Sequence, residues 1–285
     1  SNFRAGVNAG NSIASGGNNN VLIGDEAGTA ITTGDENVAV GTASLDNSDV
    51  GSFNTAIGKS ALGGDQKGSR NTAVGNSALQ TQNFTSATNA YNTAVGFNAG
   101  GAVTTGIRNT FIGGLSGDAI TTANFNTAVG YNSLGLTTTG TLNVAVGDNA
   151  LTSNTTGASN TAVGQNSLGA NTTAANNTAV GHSSLSTNTT GASNVAVGQS
   201  ALTANTTGTG NSALGKGSLA ANTTASYNTG IGENTLLANT TGASNTAVGN
   251  TALTANTTGA QNTAVGTSAG VALTTGGSNV AVGFE

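Results

Sequence analysis

Apolar residues recur along the chain at a spacing set by a five-residue phrase, Asn-x-x-x-Gly. The phrase occurs seventeen times between Asn2 and Asn279, and from Asn20 it restarts every seventeen residues except across a four-residue insertion near 80-91. With the Asn as position 0, position 3 is Val, Ile or Leu in sixteen units, Ala5 being the exception, and position 2 is nearly always Ala. A short, fixed period with alternating positions predicts short strands in stacked repeats.

Seventeen residues are too few for a helical hairpin and enough for one coil of a β-solenoid with tight corners. We therefore predict an all-β fold, a parallel β-solenoid (β-roll) of about seventeen coils. Side chains alternate between the two faces of a strand, so we expect position 3 to face the interior and the Ala at position 2 to face a partner chain. The repeated Asn predicts a hydrogen-bonded ladder, and the repeated Gly predicts a corner with positive φ.

Two other positions exchange one large aliphatic residue. Eleven units have Leu at position 8 and no apolar residue at position 11, whereas five units have Gly at position 8 and an aliphatic residue at position 11. The Gly units carry Ile13, Ile31, Val103, Ile120 and Leu273 at position 11. Dense packing explains the exchange if both positions fill the same interior site. Each coil then has a thin core, which favours association of copies, and we predict a homotrimer.

The composition excludes several classes of function. The chain has 45 Gly, 6% charged residues, no Pro or Cys and a net charge of -5. Its six basic residues are too few and too scattered for a nucleic-acid interface. No apolar run is long enough to span a bilayer, so we expect no membrane insertion. Disorder does not explain apolar residues held in register, and we expect an ordered chain.

Catalytic chemistry has little support in the sequence. The single His182 stands at position 5, where other units carry Lys59 or Glu233, and we expect it to be exposed. The acidic pairs at 25-26 and 35-36 lack the Gly-rich pattern of calcium-binding β-rolls and are interpreted as solvated acids. We expect no enzymatic activity, no catalytic residue, no cofactor and no metal.

Aromatic and basic residues alternate at position 16, immediately before the Asn. In consecutive units that position holds the series Phe53, Arg70, Tyr91, Arg108, Phe125 and Leu142. Neighbours about 5 Å apart would form a stacking ladder that stiffens the coils. Phe97 and Tyr131, at position 5, leave open a second interpretation, a rim that contacts a carbohydrate or a cell-surface receptor.

Seven consecutive units carry an Asn-x-Thr triplet at position 11, which is formally an N-glycosylation site and also a reasonable turn ladder. The seven are Asn154, Asn171, Asn188, Asn205, Asn222, Asn239 and Asn256. We expect their side chains to be exposed under either interpretation. The neighbouring Thr pairs suggest a weaker alternative, an ice-binding solenoid, although adjacent strand residues point to opposite faces.

The phrases at 143-147 and 194-198, both Asn-Val-Ala-Val-Gly, resemble the head repeats of trimeric autotransporter adhesins. The fuller unit at 245-259 resembles arrays in bacterial and phage tail-fibre-like proteins. The resemblance implies a left-handed, trimeric β-roll on a bacterial surface or a virion. Coils in the adhesin heads are usually shorter than those of this chain.

Charge divides the chain into two parts. The part at 1-142 contains thirteen of the seventeen charged residues, the whole aromatic and basic series and the insertion. The part at 143-285 is neutral, regular and suited to a spacer. We expect recognition between about 53 and 131, with Asn83 and Phe84 in a protruding loop. The function expected is an extracellular fibre or filament shaft, able to assemble end to end, with an adhesin head that binds matrix or glycan as the alternative.

Overall fold

The computed structural model describes residues 1–284, which form strands and turns and no helix. It confirms the predicted all-β fold, because parallel strands recur about every seventeen residues in stacked coils. The chain divides into two compact units, Ser1–Leu142 (unit 1) and Asn143–Glu285 (unit 2). Each unit is a parallel β-solenoid.

Unit 1 contains eight strands in parallel register and a separate pair of very short strands. The eight are β1 (Phe3–Ala5), β2 (Val21–Ile23), β3 (Val38–Val40), β4 (Thr55–Ile57), β6 (Thr72–Val74), β8 (Thr93–Val95), β9 (Thr110–Ile112) and β10 (Thr127–Val129). The short pair is β5 (Gly68–Ser69) with β7 (Thr88–Asn89). Equivalent positions of successive coils are paired, as in Thr93 with Thr110.

Unit 2 contains nine strands in the same parallel arrangement. They are β11 (Val144–Val146), β12 (Thr161–Val163), β13 (Thr178–Val180), β14 (Val195–Val197), β15 (Ser212–Leu214), β16 (Thr229–Ile231), β17 (Thr246–Val248), β18 (Thr263–Val265) and β19 (Val280–Val282). The register again pairs equivalent positions, such as Val163 with Val180.

The strand faces point the opposite way to the prediction. Ala at position 2, for example Ala162 and Ala179, is fully buried inside the coil, whereas Val163 and Val180 at position 3 are partly exposed on the outside. The interior beside the strand is already occupied by the Leu at position 8, such as Leu168, so it has room for a methyl group only. The Ala column is therefore core and is not the surface that meets a partner.

The exchange between positions 8 and 11 is confirmed. Leu45 and Ile31 are both fully buried, although they come from different positions of their coils. Gly28 accommodates this packing, because a Cβ at that residue would lie 2.8 Å from Ile31 Cδ1. In coils with Ala at position 2, one large aliphatic group fills the interior from either backbone position.

A second exchange links positions 2 and 8. Leu22 and Phe111 replace the usual Ala at position 2, and both are fully buried. Phe111 lies against two position-8 glycines: a Cβ at Gly100 would be 2.7 Å from its Cδ2, and one at Gly117 would overlap the ring. The visible signal was that the three large exceptions to Ala at position 2, which are Arg4, Leu22 and Phe111, all belong to units with Gly at position 8.

The repeated Asn and Gly have the predicted corner roles. Asn37 Nδ2 donates to Asn20 Oδ1 at 3.1 Å and to Gly51 O at 2.9 Å, and the same pattern repeats in later coils. At position 4, Gly164 has a φ of 129°, and a Cβ there would lie 2.6 Å from the carbonyl carbon of Gly181. The polar ladder and the glycine column bring successive coils into close backbone contact.

The insertion near 80-91 is anchored by a buried carboxylate. Asp65 accepts hydrogen bonds from Gln82 Nε2 at 2.7 Å, from Phe84 N at 3.1 Å and from Gly68 N at 3.1 Å. Phe84 is buried, so the prediction that it lies in a protruding loop is wrong. Residues 85–87, which follow Phe84, are exposed. The Asp65 contacts explain the difference, because they pull the start of the insertion into the coil.

Candidate functional site

The outer side of the strands forms a flat face in each unit. Positions 1 and 3 point outward along it, mostly Thr or Val at position 1 and Val, Ile or Leu at position 3. The more exposed aliphatic residues include Ile57 and Ile112 in unit 1 and Leu214 and Ile231 in unit 2. An apolar surface that repeats from coil to coil is a candidate for contact with another molecule.

The position-16 series forms two cation–π pairs. The guanidinium of Arg70 lies 4.6 Å from the ring centroid of Phe53, and that of Arg108 lies 5.5 Å from the centroid of Phe125. Arg70 Nε also donates to Asn89 Oδ1 at 3.3 Å. The stacking part of the predicted ladder is therefore present at these two steps, and its role in ligand contact stays a prediction.

Position 16 holds bulky side chains in an unfavourable backbone conformation. Phe53, Arg70, Tyr91, Arg108 and Phe125 all have φ between 54° and 65°. Such a left-handed conformation costs a side-chain-bearing residue about 1–2 kcal/mol relative to the usual one and favours Gly or Asn. In unit 2 the same position is mostly Ser, Asn, Gln or Gly. Bulky residues in unit 1 are thus placed where the backbone alone would favour small ones.

Phe97 and Tyr131 lie at position 5 on either side of Gly114, with one coil between them. Both rings are exposed. A Cβ built at Gly114 would have only two neighbouring atoms within 4 Å, Tyr131 Cδ2 at 3.7 Å and Phe97 O at 4.0 Å. The middle coil is therefore open between the two aromatic side chains.

The prediction that the position-11 Asn side chains are exposed is wrong. All seven are fully buried: Asn154, Asn171, Asn188, Asn205, Asn222, Asn239 and Asn256. Within the series, Asn188 Nδ2 donates to Asn171 Oδ1 at 3.0 Å and to Gly191 O at 2.9 Å. The nitrogen that would carry a glycan thus lies inside the coil and makes two hydrogen bonds. The residues form a second interior ladder, which is the turn interpretation of the sequence.

The ladder ends where the core packing changes. Asn256 Oδ1 has no hydrogen-bond partner among residues 1–284, and the next coil has Leu273 at position 11 in place of Asn.

The two Thr residues of each pair beside the ladder have different environments. Thr172 Oγ1 donates to Thr189 O at 3.1 Å, whereas the adjacent Thr173 is exposed. Only one hydroxyl of such a pair therefore projects freely outward.

Ionisable groups do not converge on a reactive centre in the part of the chain that is described. Burial raises the pKa of Asp65, and partial burial does the same for Asp46 and Asp118. His182 is exposed, as predicted. Among residues 1–284 no three His, Asp or Glu side chains are grouped to hold a metal ion, and no helix could cross a membrane.

Comparison with known proteins does not add to this description. The chain matches no protein-family model and no curated protein.

Proposed function

We propose that the chain is a structural segment of an extracellular fibre or filament, on a bacterial surface or a virion, that associates with copies of itself. The observation that supports it most is the outward strand face of unit 2, formed by positions 1 and 3 of β11 to β19. This face carries Val, Ile, Leu, Thr and Ser and no charged residue. A continuous uncharged face of this kind is suited to packing against an equal surface.

The strands supply part of the area that association needs. Nine three-residue strands at about 4.8 Å spacing and roughly 3.3 Å per residue cover about 430 Å². A standard interface buries about 800 Å² per partner, so residues on both sides of the strands must contribute the rest. Three copies are proposed because the resemblance to trimeric adhesin heads implies that number, and the outward Val face replaces the Ala face as the surface of contact.

The corners of the face also favour unit 2 over unit 1 as the associating part. At position 16, unit 2 carries small or polar residues such as Ser159 and Asn176, with Tyr227 the exception, where unit 1 carries the aromatic and basic series. Small polar corner residues allow a second flat face to approach closely. A regular segment with only four charged residues, as in 143–285, has the properties of a spacer between functional parts of a fibre.

The test is the solution mass of the full chain and of two matched double variants. Leu214→Lys/Ile231→Lys places charges on the outward face, where the two side chains are 49% and 40% exposed. Thr224→Lys/Thr241→Lys places the same charges on exposed residues in the same two coils, away from the strand. By light scattering we expect the unchanged chain and the Thr variant to be trimers and the Leu/Ile variant to be a monomer. A monomeric unchanged chain would refute the proposal, as would equal behaviour of the two variants.

A further inference from the structure

Five of the ten aromatic residues of the chain are concentrated on three consecutive coils of unit 1, and four of them are exposed. Tyr91 and Phe97 bracket β8, and Phe125 and Tyr131 bracket β10. Their exposed fractions are 49%, 62%, 44% and 58% in that order. Strand β9, which lies between them, is bracketed by Arg108 and by Gly114. We call Tyr91, Phe97, Arg108, Phe125 and Tyr131, with the outward residues of the three strands, the aromatic patch.

The strand register fixes the spacing of the rings. Thr93 pairs with Thr110, and Thr110 pairs with Thr127, so β8 and β10 are two strand spacings apart. The backbone positions of Tyr91 and Phe125 are therefore about 10 Å apart along the stack. The same spacing separates the two aromatic residues at position 5. Each edge of the patch thus carries a pair of rings at a distance comparable to the length of a disaccharide.

The middle coil supplies a gap at one edge and a cation at the other. Gly114 has no side chain, and the space above it is bounded only by Tyr131 Cδ2 and the carbonyl oxygen of Phe97. At the opposite edge the Arg108 guanidinium lies 5.5 Å from the Phe125 ring centroid. Partly exposed Thr110 lies between the two edges. Apolar ring faces and hydrogen-bond donors are therefore interleaved over a small area.

The coil beneath the patch has a core found nowhere else in residues 1–284. Phe111 is fully buried at position 2, directly between the outward residues Thr110 and Ile112. Gly100 and Gly117 provide the space for its ring. A buried ring that fills this interior holds the middle strand in place, because close-packed interiors have low compressibility.

We propose that the aromatic patch binds a neutral glycan chain, with sugar rings stacked on the aromatic pairs and sugar hydroxyls bonded to Thr110 and Arg108. Rings with an apolar face and a polar surrounding suit the alternating C–H and hydroxyl surfaces of a pyranose. Nucleic acid also stacks on aromatic rings, but it requires a positively charged groove, and Arg108 is the single cation of the patch. An acidic glycan is disfavoured for the same reason.

This inference does not depend on self-association of unit 2. The two proposals concern different units, and each fails on its own measurement: the solution mass for association, and glycan binding for the patch. The neutral character of the ligand gives a further distinction, because binding of an uncharged chain should be almost independent of salt concentration.

The experiment measures binding of the full chain to a panel of neutral oligosaccharides of hexoses and of N-acetylhexosamines, by titration calorimetry. The test variant is Phe97→Ala/Tyr131→Ala. The matched control is Tyr227→Ala, which removes an exposed ring at position 16 of unit 2. We expect at least one oligosaccharide to bind, the test variant to bind it at least about 10-fold more weakly, a change of about 1.4 kcal/mol, and the control to bind as the unchanged chain does.

Each other outcome would overturn the proposal. Failure of the unchanged chain to bind any member of the panel, unchanged binding by the test variant, or equal weakening by Tyr227→Ala would each do so. A strong salt dependence would contradict a neutral ligand. If the test variant instead changes the solution mass and no sugar binds, the patch is a contact between copies. Thermal unfolding of both variants checks that the substitutions leave the fold intact, which we expect because the replaced rings are largely exposed.

Discussion

The exchange of one aliphatic group between positions 8 and 11 predicts a strong coupling between two substitutions in unit 2. In the coil at 177–193, Leu185 at position 8 is fully buried and Asn188 belongs to the interior ladder. The double variant Leu185→Gly/Asn188→Ile would give this coil the alternative packing that Gly270 and Leu273 have in the coil at 262–278, where position 2 is also Ala. We expect the double variant to be much more stable than its two single variants imply.

The first single substitution leaves a cavity. Removing a buried Leu side chain costs about 2–5 kcal/mol. Leu185 has a φ of 49°, and Gly relieves about 1–2 kcal/mol of the associated strain. We therefore expect Leu185→Gly to lower the free energy of unfolding by about 3 kcal/mol.

The second single substitution overpacks the site and interrupts the ladder. An extra aliphatic group in a filled interior costs about 1–3 kcal/mol. Asn188→Ile also removes the donor to Asn171 Oδ1 and the acceptor of Asn205 Nδ2, at about 1–3 kcal/mol for each buried group left unpaired. Gly191 O keeps a bond from Asn177 Nδ2 at 3.0 Å. We expect a loss of about 4–6 kcal/mol.

In the double variant the cavity and the overpacking cancel, so mainly the interrupted ladder remains. Its free energy of unfolding should be at least about 3 kcal/mol higher than the sum of the single effects predicts. The assay is equilibrium urea unfolding followed by circular dichroism, at one protein concentration because association would alter apparent stability. As a control, Leu185→Gly/Thr190→Ile pairs the cavity with an exposed Thr and should be additive. Additivity in the Leu185/Asn188 pair would refute the shared interior site.

Two further substitutions test the corner and the insertion. Gly164→Ala should lower the free energy of unfolding by at least about 3 kcal/mol, because φ is 129° and the new Cβ would lie 2.6 Å from the Gly181 carbonyl carbon. The control is Gly114→Ala, whose Cβ would have no contact closer than 3.7 Å and should change the free energy of unfolding little. Equal losses for the two variants in unfolding assays would contradict this prediction. Burial raises the pKa of Asp65, so the folded chain binds the proton of this carboxyl group more tightly than the unfolded chain does. The resulting contribution to stability is fully present below the pKa of the unfolded chain and is lost as pH rises through the raised pKa of the folded chain. Urea unfolding over a pH series should show a smaller fall for Asp65→Asn than for the unchanged chain, and identical profiles would oppose the assignment.

The sequence predicts the coil and part of its packing because those features leave a periodic trace. One unit has Gly28 at position 8 and Ile31 at position 11, whereas the next has Leu45 at position 8, and this exchange is visible when the units are aligned. Because protein interiors are densely packed, the exchange indicates that both positions fill the same interior site. The orientation of the strand could not be obtained in the same way. Alternation separates Ala162 from Val163 but does not say which side is inside, and the preference for the larger residue in the core gave the wrong answer.

The interior Asn ladder shows a second limit of sequence reasoning. Asn188 in an Asn-Thr-Thr turn has the composition of an exposed loop, and a single unpaired Asn would be unfavourable inside a core. Stacking of the coils removes this cost, because the Asn of each coil supplies a hydrogen-bond partner for the Asn of the next coil. The clue was that the residue repeats without interruption from Asn154 to Asn256, as the position-0 Asn does throughout the chain. The aromatic patch needed the register of β8 to β10, since its members are far apart in sequence.

The two Asn ladders also restrict how the length of such a protein can change over evolutionary time. A gain or loss of one whole coil of seventeen residues brings Asn onto Asn again in both ladders, whereas another length in a coil that carries the position-11 Asn would leave buried amides opposite unsuitable partners. The four-residue insertion near 80-91 occurs where position 11 carries Asp65 and Gln82 in place of Asn. Copy number should therefore vary freely among related arrays, and irregular lengths should be confined to coils that have already replaced the ladder residue.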